Sequence, residues 1–279
     1  LTNREQTNIV REKLSGLKVN VVAEPTARNT APAILWICNK INEINPNATI
    51  VVLPADHFIP EKEKFNQTIN RAIKFAHESS KIITIGIVPA KPATGYGYIQ
   101  VDDSLFNVIK FHEKPTLEKA QEYIKNPNMF WNAGMFIAKA QTLLNEFTIH
   151  APKLSEDMFK FFQGSFDYAK FENISIDYAI MEKSSNIALI PSNFEWHDVG
   201  NLMEFLNLKQ RFEPNSIQTI NFQGHNNITN STKKLVVCVG VSELCIIETE
   251  GVLLIAKNDS VEQVKNVLPK IKPLHEKLL

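Results

Sequence analysis

Thr49-Ile50-Val51-Val52-Leu53-Pro54-Ala55-Asp56-His57 is the stretch on which the reading of the fold turns. From Thr49 to Leu53 there is no alternation of apolar and polar residues, so both faces of the strand it predicts must be covered. That is the condition of strands in sheets wrapped by helices. Outward from it, a helix is predicted before the strand, from Ala31 to Ile44. A second is predicted after it, from Glu61 to Ser79, with Phe65, Ile69, Ala72, Ile73 and Ala76 on one face. Ile82 to Val88 is the next apolar strand, and Val19 to Ala23 is a strand candidate ahead of the first helix. This β-α-β-α-β order predicts a parallel, doubly wound α/β sheet.

Further along the pattern loosens. Tyr98 to Val101 and Val108 to His112 are expected to pair as antiparallel strands, with a helix from Leu117 to Asn126. Trp131 to Ala138 reads as a strand, Gln141 to His150 as a helix and Ser175 to Lys183 as a short helix. Ile187 to Pro191 and Phe194 to His197 read as strands, and a helix from Leu202 to Phe212 closes a first domain at residue 213. After Pro214, short apolar runs at Leu235 to Val241, Leu244 to Glu248 and Val252 to Ala256 alternate with polar turns. They predict a small β module over 214–279, built as a coil of parallel strands, with a helical tail from Val261.

Charge and cysteine content exclude several classes. Lys plus Arg and Asp plus Glu both total 30, without the basic excess of a nucleic-acid binder. Three cysteines without paired spacing, Cys38, Cys238 and Cys245, argue against a disulfide framework or a zinc site. No apolar run approaches the ~18 residues that span a bilayer, and the polar first residues carry no signal-peptide core. No membrane partner and a cytoplasmic location are expected. No Ser/His/Asp order or GxSxG turn points to a hydrolase. An exposed strand edge in the C-terminal module is a place where two subunits can pair into a homodimer, while the sequence itself does not fix the oligomeric state.

The candidate site residues stand where strands end. Asp56 follows Ile50-Val51-Val52-Leu53, and Asp198 follows Phe194-Glu195-Trp196-His197 and precedes Val199-Gly200. Ligands of open α/β sheets sit beyond the carboxyl ends of strands. Two carboxylates meeting there can hold one Mg²⁺ with its phosphates, or each can cap the helix that follows it. Glu24-Pro25-Thr26-Ala27-Arg28-Asn29-Thr30 offers amides, a hydroxyl and a planar side-chain amide at a helix start, suited to a base edge or an anion, or to a capped turn. Gly95-Tyr96-Gly97-Tyr98 lets backbone approach a ligand closely. Glu113-Lys114-Pro115 sets an acceptor beside a cation, and Asn132 is a lone amide in an apolar strand that must find a partner. His57, His112 and His197 adjoin these motifs and are expected to make local hydrogen bonds.

Taken in order, these motifs resemble one family. Glu24-Pro25 with Arg28-Asn29-Thr30-Ala31, Pro54-Ala55-Asp56-His57, Thr94-Gly95-Tyr96-Gly97-Tyr98-Ile99, Phe111-His112-Glu113-Lys114-Pro115, Trp131-Asn132-Ala133-Gly134-Met135-Phe136, Ser175-Ile176-Asp177-Tyr178-Ala179-Ile180-Met181-Glu182 and Trp196-His197-Asp198-Val199-Gly200 are similar to the series in mannose-1-phosphate guanylyltransferases. The tail around Glu248 to Leu254 resembles the β-helix module of bacterial members. The resemblance implies a nucleotide-diphospho-sugar transferase fold, a Rossmann-like, GT-A-like mixed sheet with a small C-terminal left-handed β-helix. The reaction it implies takes GTP and mannose 1-phosphate to GDP-mannose and pyrophosphate. By the same resemblance Asp56 and Asp198 are the Mg²⁺ ligands, and Glu24 with Arg28, Asn29 and Thr30 lies near the guanine. Gly97 makes the backbone contact to the sugar, with Tyr96 beside it as a substrate-binding residue; Glu113 and Asn132 bind the sugar hydroxyls, Lys114 binds the phosphate, and Asp177 is a supporting acid near the sugar. A sugar phosphate is already a nucleophile at neutral pH, so the task is to offset repulsion between anions and align them.

The sequence departs from the family at one point. Members begin with a strand and a Gly-rich loop whose amides cradle the triphosphate; here none of the 10 glycines is followed by another. The first residues resemble the segment after that loop, about 60 residues in. Two expectations follow: a chain that starts late in a guanylyltransferase, or a noncatalytic sugar-nucleotide-binding or regulatory relative. A pyrophosphorylase for another nucleotide or hexose 1-phosphate is the third reading.

Overall fold

The computed structural model describes residues 1–104, 106–214, 219–231 and 234–271. In chain order the elements are β1 (Thr2–Asn3), α1 (Thr7–Lys13), β2 (Ala23–Glu24), α2 (Thr30–Ile44), β3 (Thr49–Val52), β4 (His57–Phe58), α3 (Lys62–Ser79), β5 (Ile82–Ile87), β6 (Tyr98–Val101), β7 (Val108–His112), α4 (Leu117–Tyr123), β8 (Met129–Lys139), α5 (Ala140–His150), α6 (Pro152–Phe162), β9 (Ile187–Pro191), β10 (His197–Asp198) and α7 (Leu202–Phe212). Then come β11 (Thr219–Phe222), β12 (Ile228–Thr229), β13 (Val236–Val239), β14 (Leu244–Glu248), β15 (Leu253–Lys257) and α8 (Val264–Ile271). By packing the chain divides into two units. One is 1–55 with 59–196, and the other is 56–58 with 197–279.

In the first unit six described strands form a mixed sheet in the order β7-β6-β8-β5-β9, with β3 also on β8. All six residues of β5 are buried, because α2 and α5 cover one face and α3 the other. Leu35, Leu143 and Phe147 pack with Ile82 and Leu189 on one side; Ile69, Ala72 and Ala76 pack with Ile83, Ile85 and Ile190 on the other. The apolar stripe of α3 is thus the face expected from its spacing. The parallel succession of β3 and β5 needs correction. They do not touch as neighbours, because β8 runs antiparallel to both and lies between them. At 11 residues β8 is long enough to pair with β6 over its first part and β3 over its last, with β5 along its other edge.

Other expectations are revised locally. Val19 to Val22 is not a strand; pairing begins at Ala23, with Thr2, and Val19 is 49% exposed. Phe194 and Trp196 are buried against Phe65 and Tyr96 rather than laddered. α6, started by Pro152, is an element the sequence pattern does not announce. The short helix at Ser175 is a single π-helical turn, Asp177–Met181. Cys38 is fully buried and its burial pushes the thiol up to about 12, so it behaves as a small apolar side chain.

In the second unit β11 pairs in parallel with β13 and β12 with β14, the expected coil, but β15 turns back antiparallel to β14. Leu206 of α7 packs with Ile228, Cys245, Ile247 and Val261. The corners use left-handed backbone at Gln223, Asn226, Gly240 and Glu243. Buried Asn227 ties the coil together: its Nδ2 donates to Asn221 Oδ1 (2.6 Å) and to the Val241 carbonyl (2.8 Å), and its Oδ1 accepts from the Leu244 N–H (3.0 Å). The helical tail is found as α8, continuing through Pro269; 272–279, with Pro273, lie outside the described residues. Among the described residues no helix is long and apolar enough to cross a membrane.

A Cβ on Gly224 would lie 2.0 Å from the Val241 carbonyl oxygen, a backbone atom that cannot swing aside. Gly224→Ala is expected to cost at least about 2 kcal/mol. Urea denaturation followed by circular dichroism checks this, and a wild-type midpoint would contradict it.

Candidate functional site

Four segments of the first unit bring Gly97, Glu113, Asn132 and Asp177 together. Gly97 precedes β6 and Glu113 follows β7, on adjacent antiparallel strands. A Cβ on Gly97 would sit 2.5 Å from Glu113 Oε2 and 3.2 Å from a Phe111 ring carbon. The bare glycine is therefore what leaves room for the carboxylate. The Gly97 carbonyl accepts from the Asn132 N–H at 2.8 Å, which sets β8 beside it.

Asn132 lies where β8 is irregular. Thr84 pairs with Phe136 but Gly86 pairs with Asn132, so β8 spends two more residues than β5 over this span. Gly134, inside the bulge, has φ +64°, a conformation that favours glycine. The bulge folds the Gly134 N–H back onto Asn132 Oδ1 (3.0 Å), and the Thr84 hydroxyl donates to the same oxygen (3.3 Å). At the other end of the amide, Nδ2 donates to Asp177 Oδ1 at 2.9 Å. Asp177 opens the π-helical turn, a form that recurs at functional sites.

The electrostatics follow from burial. Asp177 is held above the usual carboxylate range by desolvation, which outweighs the hydrogen bond from Asn132. Glu113 is raised too, first by burial and then by the charge of Asp177. Lys114 opposes this: its Nζ lies 3.3 Å from Glu113 Oε1, with 59% of the lysine side chain exposed against 7% of the glutamate's. Lys114 itself takes φ +44°, and Glu182 Oε1 accepts the preceding Glu113 N–H at 3.1 Å. Glu113 and Lys114 border an open cleft of about 450 Å³ with Lys110, Lys119, Tyr123 and Glu182. Acceptors, one amide and an exposed cation form a surface complementary to a polyhydroxylated, anionic molecule.

The other candidates are placed differently. Glu24 accepts from the Tyr168 hydroxyl at 2.9 Å and is raised by burial. The Arg28 guanidinium donates to the Ala169 carbonyl. Asn29 has φ +64° and its Oδ1 accepts from the Thr30 N–H, while Thr30 Oγ1 accepts from the Ile176 N–H at 2.9 Å. These side chains clamp the start of α2 to the 168–176 segment. The Tyr96 ring packs edge-on between Trp131 and Trp196, at 5.2 and 5.3 Å.

In the second unit β4 and β10 pair antiparallel, with Asp198 opposite His57, and the Val199 N–H donates to the Asp56 carbonyl at 2.9 Å. The pairing gathers Asp56, His57 and Asp198, whose ligand-capable atoms all lie within 4.8 Å of one another. Two carboxylates form a hard oxygen set suited to a divalent cation. His57 is lowered by burial, against the pull of Asp198 and Asp56; a neutral imidazole beside the acids adds no positive charge to repel a cation. His112 is lowered by burial and by Lys110 and Lys119, and its Nδ1 faces the Tyr123 hydroxyl at 3.2 Å.

Sequence reasoning missed Thr84, Glu182 and Tyr168 as supports. Thr84 is legible in hindsight as the one hydroxyl in Ile82-Ile83-Thr84-Ile85-Gly86-Ile87. Glu182 closes a motif already singled out. Tyr168 carries no local signal, since its partner is 144 residues away.

Because Glu113 and Asp177 are raised in the folded state, the native protein holds protons that the unfolded chain has released. Their contribution is therefore most favourable below the ordinary carboxylate range and is lost as pH rises through the folded values. Glu113→Gln should flatten that decline. Urea denaturation of both proteins from acid to neutral pH measures it, and parallel pH profiles would contradict the assignment.

A family model for nucleotidyl transferases matches residues 1–215, and one for a MannoseP isomerase/GMP-like beta-helix domain matches residues 218–271. The chain is 33% identical over 301 residues to a mannose-1-phosphate guanylyltransferase of Salmonella montevideo, with 98% of this chain and 63% of that protein covered. It is 31% identical to one of Escherichia coli K12, covering 98% of this chain and 62% of that protein. The chain thus spans somewhat under two thirds of the length of these relatives. A solved structure from Thermus thermophilus, described as a mannose-1-phosphate geranyltransferase, superposes with a TM-score of 0.79 at 26% identity, over 98% of this chain and 83% of that one. Over most of its length, this chain belongs to the nucleotidyl transferase family.

Proposed function

We propose that this chain carries the sugar- and metal-binding machinery of an enzyme that joins GTP and mannose 1-phosphate into GDP-mannose, releasing pyrophosphate. The observation that carries the reading is the Gly97–Glu113–Asn132–Asp177 cluster. It sets two carboxylates and an oriented amide beside an exposed lysine, and relatives bearing that enzyme's name match 98% of the chain.

In this reading Glu113 and Asp177 accept hydroxyl hydrogens of the hexose, and Asn132 donates to one of its oxygens. Lys114 places its charge on the phosphate, a role that suits an exposed ammonium on a flexible stem. Glu24 to Thr30 contributes to the guanine side through its backbone, because the side chains of Glu24, Arg28 and Thr30 are engaged with 168–176 and that of Asn29 accepts from the Thr30 N–H. Asp56 and Asp198 are the proposed ligands of Mg²⁺, which when bound supplies charge that offsets the phosphates. None of these residues needs to act as a base, since the sugar phosphate is already an anion; their work is to bind, align and screen charge. Use of GTP goes with a cytoplasmic location.

The test is pyrophosphate release by the protein from GTP and mannose 1-phosphate in Mg²⁺. Asp198→Asn should lower turnover by roughly 100-fold or more, the scale for losing an electrostatic element of the transition state, with circular dichroism unchanged. Wild-type turnover in that variant would refute the ligand assignment. Preference for another nucleotide or hexose 1-phosphate would refute the substrate assignment.

A further inference from the structure

We infer that Glu61 is a positioning residue for the metal pair: its carboxylate takes the place of a strand hydrogen bond and holds the segment carrying Asp198 against the segment carrying Asp56. The inference rests on the proposed metal site and names what keeps its two carboxylates together before a cation arrives.

β4 and β10 pair over only two residues each, His57 opposite Asp198 and Phe58 opposite His197. The ligand-capable atoms of Asp56, His57 and Asp198 lie within 4.8 Å of one another. Two carboxylates that close repel each other, and a ladder this short has few bonds with which to resist. Nor can the backbone extend it. In an antiparallel ladder every second facing pair exchanges hydrogen bonds. The Val199 N–H donates to the Asp56 carbonyl, so in the same register the next bonded pairs are Phe58 with His197 and then Pro60 with Glu195. Proline has no N–H to give, and the Pro60 carbonyl accepts from the Lys62 N–H at 3.2 Å instead. At Pro60 the backbone pairing therefore stops, and the Glu195 N–H needs another acceptor.

Glu61 supplies that acceptor. It stands just ahead of the first turn of α3, where a shorter side chain would cap the helix, but its own makes no capping bond. Its Oε2 accepts instead from the Glu195 N–H at 2.8 Å, across 134 residues of sequence. A backbone N–H can only donate and an ionised carboxylate can only accept, so this bond has a single sense. The other oxygen, Oε1, pairs with Lys64. Glu195 lies between the buried rings of Phe194 and Trp196, which keep its N–H from swinging away. Phe194 meets Phe65 of α3 edge-on at 5.5 Å, and Asn193 Oδ1 lies 2.9 Å from the Thr68 hydroxyl of the same helix. The segment is thus fastened to α3 at Asn193, Phe194 and Glu195, and the Glu61 bond is the fastening nearest Asp198. Few residues separate Glu61 from Asp56, or Glu195 from Asp198. A bond between Glu61 and Glu195 therefore limits how far the two acids can part.

The test measures binding of Mn²⁺, a paramagnetic stand-in for Mg²⁺, by loss of the free ion's electron spin resonance signal, counting the binding that Asp198→Asn abolishes. Hydrogen exchange of the Val199 amide and thermal unfolding are recorded on the same proteins. Glu61→Ala removes the acceptor. Glu61→Gln removes the charge but keeps an acceptor oxygen, and Lys64→Met removes the neighbouring cation. Glu61→Ala should bind Mn²⁺ roughly fivefold more weakly, the scale of one hydrogen bond, and exchange its Val199 amide faster, while remaining folded. Glu61→Gln and Lys64→Met should bind within about twofold of wild type and keep the wild-type exchange rate. Wild-type affinity or wild-type Val199 exchange in Glu61→Ala overturns the inference. So does a Glu61→Gln protein as impaired as Glu61→Ala, which would assign the effect to charge, or an equally impaired Lys64→Met, which would assign it to the ion pair. Wild-type protein that binds no Mn²⁺ through Asp198 refutes the metal reading itself; Val199 exchange in the variants then still decides whether Glu61 holds the two strands together.

Discussion

The hydrogen bond from the Gly134 N–H to the side chain of Asn132 closes a bulge in the longest strand of the sheet, and the proposed sugar site is arranged around it. Without the bulge, β8 would keep its Thr84–Phe136 register against β5, and Gly134 rather than Asn132 would stand opposite Gly86. With it, β8 spends two extra residues, Gly134 takes left-handed backbone, and the amide of Asn132 is turned toward Thr84 at one end and Asp177 at the other. Bulges recur next to functional sites because they re-aim a side chain without breaking the sheet. The same strand carries β6 and β3 along one edge and β5 along the other, so a local distortion is referenced to most of the sheet.

Around that amide, charge is concentrated in little space. Glu113 fits only because Gly97 has no side chain. Its carboxylate shares the neighbourhood with Asp177, whose burial costs it solvation. Unbound, the two acids are at odds, and Lys114 answers only part of the repulsion from an exposed position. A ligand bringing hydroxyl hydrogens supplies what the carboxylates lack. In the proposed reading the site gives up native stability in favour of binding, a trade common where charge is preorganised.

Much of this is legible in the sequence, for reasons that can be stated. Apolar runs at 49–53 and 82–88 identify strands because burial on both faces leaves no alternation, and α3 shows its buried stripe at helical spacing. Asp56 and Asp198 stand at strand ends in the sequence pattern, and the β4–β10 pairing does bring them together. What is not legible depends on distant partners. The place of β8 between β3 and β5 is set by antiparallel pairing across many residues, which local periodicity does not encode. The side chains of Glu24, Arg28 and Thr30 look free in a loop, yet 168–176 engages them. Tyr96 looks poised for a ligand beside two glycines, yet its ring fills the space between two tryptophans.

In the proposed function, Asn132, Glu113 and Asp177 are held to read the hydroxyls of a hexose. A crystal structure of the protein with GDP-mannose bound tests this most directly. The expected result is a mannose hydroxyl oxygen within hydrogen-bond distance of Asn132 Nδ2, with hydroxyls also facing Glu113 and Asp177 and the Asn132 amide unflipped. A mannose ring lodged elsewhere, with these three side chains making no contact to it, would contradict the assignment.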